Sequence, residues 1–238
     1  MTRIPDLHSG SATRSPGAPA AALLVSLLLA ATARGGALPA RAASPSAPAS
    51  ALAPATTSAP ADADSPAELL DRPARAWSFD RWVDSPPLSL AGLRGHVVLL
   101  RWFNTGCRYC GNTLPALESL RTRYAAQGLV VVGVFHPKPR RPVSDAFVRR
   151  TARTLGFLGP VAVDERWSTL ERWWLANHPE RNWTSVSFLI DREGIVRWAH
   201  GGGEYHPSRD PRHASCDASY AGLERTIRRL LDERAAAR

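Results

Sequence analysis

The stretch NTGCRYCGNTLP, residues 104–115, carries Cys107 and Cys110, two of the three cysteines in a chain of 238 residues. Thiols three positions apart can meet across one helical turn. That spacing admits three chemistries: reversible disulfide exchange, part of a soft-metal site, or a fixed bridge. A fixed bridge around so small a loop contributes little, because the unfolded-state entropy it removes grows with loop length. Exchange needs a reachable thiolate, since the ionised sulfur is the nucleophile. If the pair opens a helix, the unpartnered N–H groups and the dipole there stabilise negative charge. On that geometry Cys107 attacks and Cys110, tucked beneath the first turn, resolves. Arg108 would favour the thiolate, and Tyr109 would offer a flat apolar surface to a partner.

A second group of reactive side chains lies near the C-terminus. His200, Glu204, His206, His213 and Cys216 fall within seventeen residues of a glycine-containing loop. His206, His213 and Cys216 are weak candidates for zinc or copper, which take N and S donors. The favoured reading is that histidines collect in a polar loop beside an isolated thiol, with no metal and no cofactor. His136 could move protons near the cysteines, although a histidine there more often only starts a loop.

These residues need elements to position them. HVVLLRWF (His96–Phe103) reads as a buried central strand leading directly into the cysteine stretch. LPALESLRTRYAAQG then sets Leu114, Leu117, Leu120 and Tyr124 on one helical face and stops at Gly128. LVVVGVF (Leu129–Phe135) is a second buried strand, so the three form a βαβ unit with parallel strands. A helix is expected near Ser144–Leu155, a short strand at 161–163, and a Trp-rich helical stretch from Glu165 to about Trp174. SVSFLIDREGIVRWAH reads as an antiparallel hairpin around Asp-Arg-Glu-Gly, and residues 218–234 as a final amphipathic helix. The sum is an α/β fold: a mixed central sheet with helices on both faces.

Residues 1–42 read as a signal peptide or N-terminal anchor. Arg3 and Arg14 precede a short apolar run, and Ala40-Arg41-Ala42 offers a cleavage site. Residues 43–70 are rich in Ala, Pro and Ser, with too little apolar surface to offset ordering entropy, and read as a disordered linker. The domain is expected at 71–238. Thirty basic against twenty-one acidic residues give a net charge of +9, but the arginines are scattered rather than clustered, which argues against nucleic acid as a partner. The expected location is exported, periplasmic or cell-envelope, with membrane contact only through an uncleaved N-terminal segment. In that oxidising setting disulfides persist and reducing power must be supplied.

LSLAGLRGHVVLLRWFNTGCRYCGNTLPALESLRTRYAAQGLVVVGVF, with FLIDREGIVRWAHGGGEY further on, resembles the exported thioredoxin-fold thiol:disulfide oxidoreductases, the reductases of cytochrome c maturation and related redoxin domains. The resemblance implies a thioredoxin-like fold and a redox pair at Cys107 and Cys110. It also implies Pro115 as a helix-kinking proline, protein disulfide substrates, and an upstream thiol electron donor. A groove containing Trp102, Arg108, Tyr109, His136 and Ser185 would receive the substrate. Gly106 replaces the tryptophan usual before the first cysteine. Ser185 stands where the family usually has a cis-proline, and a non-proline cis bond costs about 2.5–4 kcal/mol, so a trans bond and a reshaped groove are expected. A peroxiredoxin-like peroxidase and a zinc or copper carrier are the alternatives.

Overall fold

The computed structural model describes residues 66–236. The expectations for 1–42 and for most of 43–70 lie outside them. The last residues of the expected linker belong to the domain: Ala67–Leu69 form a 3-10 turn, and Leu69 and Leu70 pack against the core. Apolar side chains at those two positions give that segment surface to bury.

Six strands form one sheet: β1 (Arg81–Val83), β2 (Val97–Phe103), β3 (Leu129–Phe135), β4 (Val161–Val163), β5 (Ser187–Ile190) and β6 (Val196–His200). Their order across the sheet is β1-β4-β3-β2-β5-β6. β2 pairs in parallel with β3 from Val97↔Leu129 to Phe103↔Phe135, and antiparallel with β5. β5 and β6 make the expected hairpin, in which Asp191 Oδ1 accepts from the N–H of Glu193 and Ile195 and Gly194 takes φ +80°. β1 was not legible as a strand. It pairs antiparallel with β4, and Arg81 is fastened by Asp145 (2.7 Å) and Glu165 (3.3 Å).

Every residue of β2 is buried, so its alternation feeds two separate cores. Val97, Leu99 and Phe103 meet Leu114, Leu117 and Leu120 of α1 (Cys110–Tyr124), Val148 of α2 (Asp145–Thr154), and Leu223 and Ile227 of α4 (Ala214–Ala236). Val98, Leu100 and Trp102 meet Phe188, Trp173 and Trp174 on the opposite face. Helices therefore cover both faces, unequally. The second face carries the short α3 (Ser168–Leu170), continued as a π turn over Glu171–Leu175, the aromatic segment Trp77–Phe79, and the apolar side chains of Leu69, Leu70, Leu88, Leu90 and Leu93.

α1 runs into a 3-10 turn and ends at Gly128, whose φ of +100° a side-chain-bearing residue rarely adopts. α4 begins four residues earlier than its apolar pattern suggests, because Asp210 caps a 3-10 turn at Pro211–His213 that leads into it. Among the described residues no helix is long and apolar enough to cross a membrane.

Candidate active site

β2 and β3 run parallel, so their C-terminal ends reach the same edge of the sheet, where open α/β sheets bind ligands. The chain leaves β2 at Phe103 and turns through Asn104–Tyr109 into α1. Asn104 organises that turn: its Oδ1 accepts from the N–H of Gly106 (2.9 Å), and its carbonyl accepts from Cys107 N. α1 begins at Cys110, so Cys107 sits just before the helix rather than in its first turn. Cys107 and Cys110 are joined in a disulfide with Cα atoms 5.3 Å apart. Cys107 is half-buried and Cys110 fully buried, the asymmetry expected of an attacking and a resolving sulfur.

Ser185 reaches the pair from the far side. The ladder between β2 and β5 extends past the start of β5, with Trp102 N donating to Val186 O, and this carries the preceding residue alongside the cysteines. Ser185 Oγ donates to Cys107 Sγ at 3.1 Å, and Cys110 Sγ lies 3.8 Å from the same oxygen. Lys138–Pro139 is the only cis peptide among the described residues, so the bond before Ser185 is trans, as expected. The groove over Cys107 has a volume of about 390 Å3 and is lined also by Arg108, Tyr109, Thr184 and Trp183. Trp183, 51% exposed, packs against Tyr109 with ring centroids 5.7 Å apart. Arg108 lies over the Tyr109 ring and donates to its hydroxyl at 2.5 Å, so its cation is held by Tyr109.

Two expected groove residues sit elsewhere. Trp102 is fully buried on the opposite face of β2, where its indole donates to Asp164 (3.2 Å) and packs on Trp173 and Phe188. The alternation that points Phe103 toward α1 points Trp102 away from it. His136 is also fully buried and lines no groove. Its Nδ1 donates to Phe103 O (3.0 Å), which leaves Nε2 to accept from Asn104 Nδ2 (3.4 Å). Burial, with the Lys138 and Arg101 cations, lowers its pKa to about 3. A ring held neutral with both nitrogens engaged does not shuttle protons. It braces Asn104, which in turn shapes the cysteine turn. Asn104 and Thr184 were absent from the expected groove; Asn104 borders the cysteine stretch, while Thr184 carries no local signal.

The C-terminal donors do converge. Glu204, His206, His213 and Cys216 bring one ligand atom each within 4.8 Å of one another. His200 stays apart, buried against Trp198 and Tyr205 with its pKa lowered to about 3 by burial and by the Arg101 cation.

Residues 74–199 match the sequence model of the AhpC/TSA family. The protein DipZ of Mycobacterium tuberculosis is 32% identical over 129 residues, 52% of this chain and 18% of DipZ. The thiol-disulfide oxidoreductase ResA of Bacillus anthracis is 24% identical over 114 residues, 48% of this chain and 60% of ResA. This chain thus spans less than two thirds of either relative's length. Among solved structures, a thiol-disulfide isomerase of Corynebacterium glutamicum superposes with a TM-score of 0.51 at 21% identity, covering 68% of this chain and 96% of that one. That likeness establishes the thioredoxin-like fold.

Proposed function

The chain belongs to the AhpC/TSA family, and we propose that it is a thiol-disulfide oxidoreductase that reduces protein disulfides in the cell envelope. In the dithiol state, Cys107 thiolate attacks one sulfur of a substrate disulfide, and the other substrate sulfur leaves as a thiolate that takes up a proton. Cys110, deprotonated in turn, attacks Cys107 Sγ and releases the second substrate thiol. Two electrons pass to the substrate, and the enzyme is left with the 107–110 disulfide. An upstream dithiol donor returns the pair to its reduced form by the same exchange in reverse.

The observation that carries this reading is the disulfide between a half-buried and a fully buried cysteine, with Ser185 Oγ 3.1 Å from the outer sulfur. The name of ResA, a thiol-disulfide oxidoreductase, supports the reaction class. Support for export comes from the charged, apolar and small-residue pattern of residues 1–42.

Substitution separates the two sulfurs. Cys107→Ser should abolish dithiothreitol-driven insulin reduction, and Cys110→Ser should accumulate a covalent mixed disulfide with substrate. Wild-type turnover by both variants refutes the assignment. A peroxidase would instead oxidise Cys107 with hydrogen peroxide in a single fast step, which loss of thiol titre on mixing would reveal.

A further inference from the structure

The geometry points to a four-coordinate zinc site built from Glu204, His206, His213 and Cys216, at the junction of the 201–213 loop and α4. The assignment does not depend on the redox reading. Zinc binds imidazole nitrogen and carboxylate oxygen at about 2.0–2.2 Å and thiolate sulfur at about 2.3 Å, so tetrahedral donors stand about 3.3–3.8 Å apart. His213 Nδ1 lies 3.3 Å from His206 Nε2, 3.3 Å from Glu204 Oε1 and 3.7 Å from Cys216 Sγ. His206 Nε2 lies 3.8 Å from Glu204 Oε2. The three distances from His213 Nδ1 match edges of a tetrahedron around one ion, the fourth reaches the other carboxylate oxygen, and one ligand atom from each of the four residues lies within 4.8 Å of the rest.

The four side chains turn lone pairs toward one point. His206 Nδ1 faces Pro207 O at 3.2 Å, and a carbonyl only accepts, so this nitrogen carries the ring's hydrogen and Nε2 presents a bare lone pair. Glu204 only accepts, and Asn112 Nδ2 already donates to its Oε2 at 2.8 Å. His213 Nδ1 therefore confronts a nitrogen, an oxygen and a sulfur with one hydrogen of its own at most and the weakly donating thiol hydrogen of Cys216 to share among them. A divalent ion satisfies all four lone pairs at once. The Cys216 thiol releases its proton to solvent on binding, and thiolate plus carboxylate balance the two charges of the metal.

The supporting contacts are those of a built site. The Nδ1 bond of His206 selects the ligating tautomer, and Asn112 orients the carboxylate, the role outer hydrogen bonds play around metals. His206 N donates to Cys216 O (3.3 Å), and Ser208 N to Asp217 Oδ1 (2.9 Å), which fastens the loop to α4. With four protein ligands the site is closed, hence structural rather than catalytic. Through Asn112, two residues beyond Cys110, the ion would tie the loop to the helix that carries the redox pair. It would also keep the odd cysteine from exchanging with Cys107.

The test uses the full chain without a polyhistidine tag, stripped of metal by a chelator and with the 107–110 pair oxidised. Zinc chloride is titrated in competition with a chromophoric chelator, and cobalt(II) is added in parallel as a spectroscopic probe. One equivalent of zinc should bind, and cobalt should give intense tetrahedral bands with a thiolate charge-transfer band. Cys216→Ser should remove that band and weaken zinc by more than the roughly 10- to 100-fold that losing a supporting hydrogen bond costs, while Asn112→Ala falls within that range. The Cys107→Ser/Cys110→Ser double variant should keep its equivalent. Should Cys216→Ser fail to fold, zinc must still slow alkylation of Cys216, the only free thiol of the wild-type chain, by about tenfold or more. Absent stoichiometric binding, binding that vanishes with Cys107 and Cys110, an octahedral cobalt spectrum, or alkylation indifferent to zinc would each overturn the proposal. Insulin reduction is read separately, so failure here leaves the redox assignment standing.

Discussion

Lowering the pH from about 7 to about 4.5 should remove about 5 kcal/mol of the protein's stability, because two histidines are buried uncharged. His136 faces Asn104, Phe103 O and the Trp167 ring, with Lys138 and Arg101 nearby. His200 faces Trp198, Tyr205 and the fully buried Arg101 guanidinium. Both have folded pKa values of about 3. In the unfolded chain a histidine titrates near 6.5. A folded pKa below the unfolded one means that stability is fully present above about 6.5 and declines as pH falls toward 3. Each ring takes up one proton on unfolding across that window, so each contributes a slope of about 1.4 kcal/mol per pH unit. Two give about 2.7 kcal/mol per unit, or about 5 kcal/mol between pH 6.5 and 4.5, against a typical total of about 5–15 kcal/mol.

Carboxylates enter only at the low end of this range. Glu68, Glu118, Glu224 and Asp210 have lowered pKa values, so their share declines from about pH 5 downward, whereas burial raises the pKa of Asp164, which opposes the histidine slope there; the slope is therefore cleanest above about pH 5. Urea unfolding measured at several pH values between about 7 and 4.5 reads the slope directly. His200→Gln should halve it to about 1.4 kcal/mol per unit. A flat stability across that window, or a His200→Gln slope equal to wild type, refutes the claim that these rings are held neutral.

Asn104→Ala removes the acceptor of Gly106 N and the partner of His136 Nε2 together, and should cost about 1–3 kcal/mol in urea unfolding while slowing insulin reduction. Unchanged turnover would separate Asn104 from the cysteine turn. Ser185→Ala removes the hydroxyl beside Cys107 and should raise the pKa of its thiol by about one unit, the low end of what a hydrogen bond to a charged group is worth. Alkylation rates of the reduced protein against pH measure it.

What the sequence disclosed was whatever repeats with a period. β2, β3, α1 and the β5–β6 hairpin announce themselves by apolar runs, a helical stripe ending in Gly128, and a turn closed by Asp191. β1 has three residues and is held by ion pairs from distant positions, so no local pattern marks it. Trp102 was misplaced for a related reason. A strand buried on both faces shows no alternation, so nothing in HVVLLRWF says which residues point toward α1. His136 lies at the right edge, but only tertiary packing reveals that Phe103 O and Asn104 occupy both its nitrogens. The spacing of His213 and Cys216 was visible, whereas the folding of Glu204 and His206 onto the same point depends on a loop with no period at all.

Ser185 bears on the direction of the reaction. A proline at this place would offer the sulfurs only carbon, whereas serine donates a hydrogen bond that strengthens when Cys107 becomes a thiolate. That differential stabilises the reduced pair, because a disulfide sulfur is a much poorer acceptor than a thiolate. One pKa unit corresponds to about 1.4 kcal/mol, and for a two-electron couple that is about 30 mV. Ser185 therefore pulls the pair toward oxidising potentials, and it also makes Cys107 a better leaving group and a weaker nucleophile. Resemblance to the reductases of cytochrome c maturation pulls the other way. The two are compatible if the groove around Tyr109 and Trp183 supplies binding energy that offsets the weaker nucleophile. In that case Ser185→Ala would lower the potential by about 30 mV and yet leave reduction of the preferred substrate little faster, because docking rather than sulfur basicity would limit the exchange.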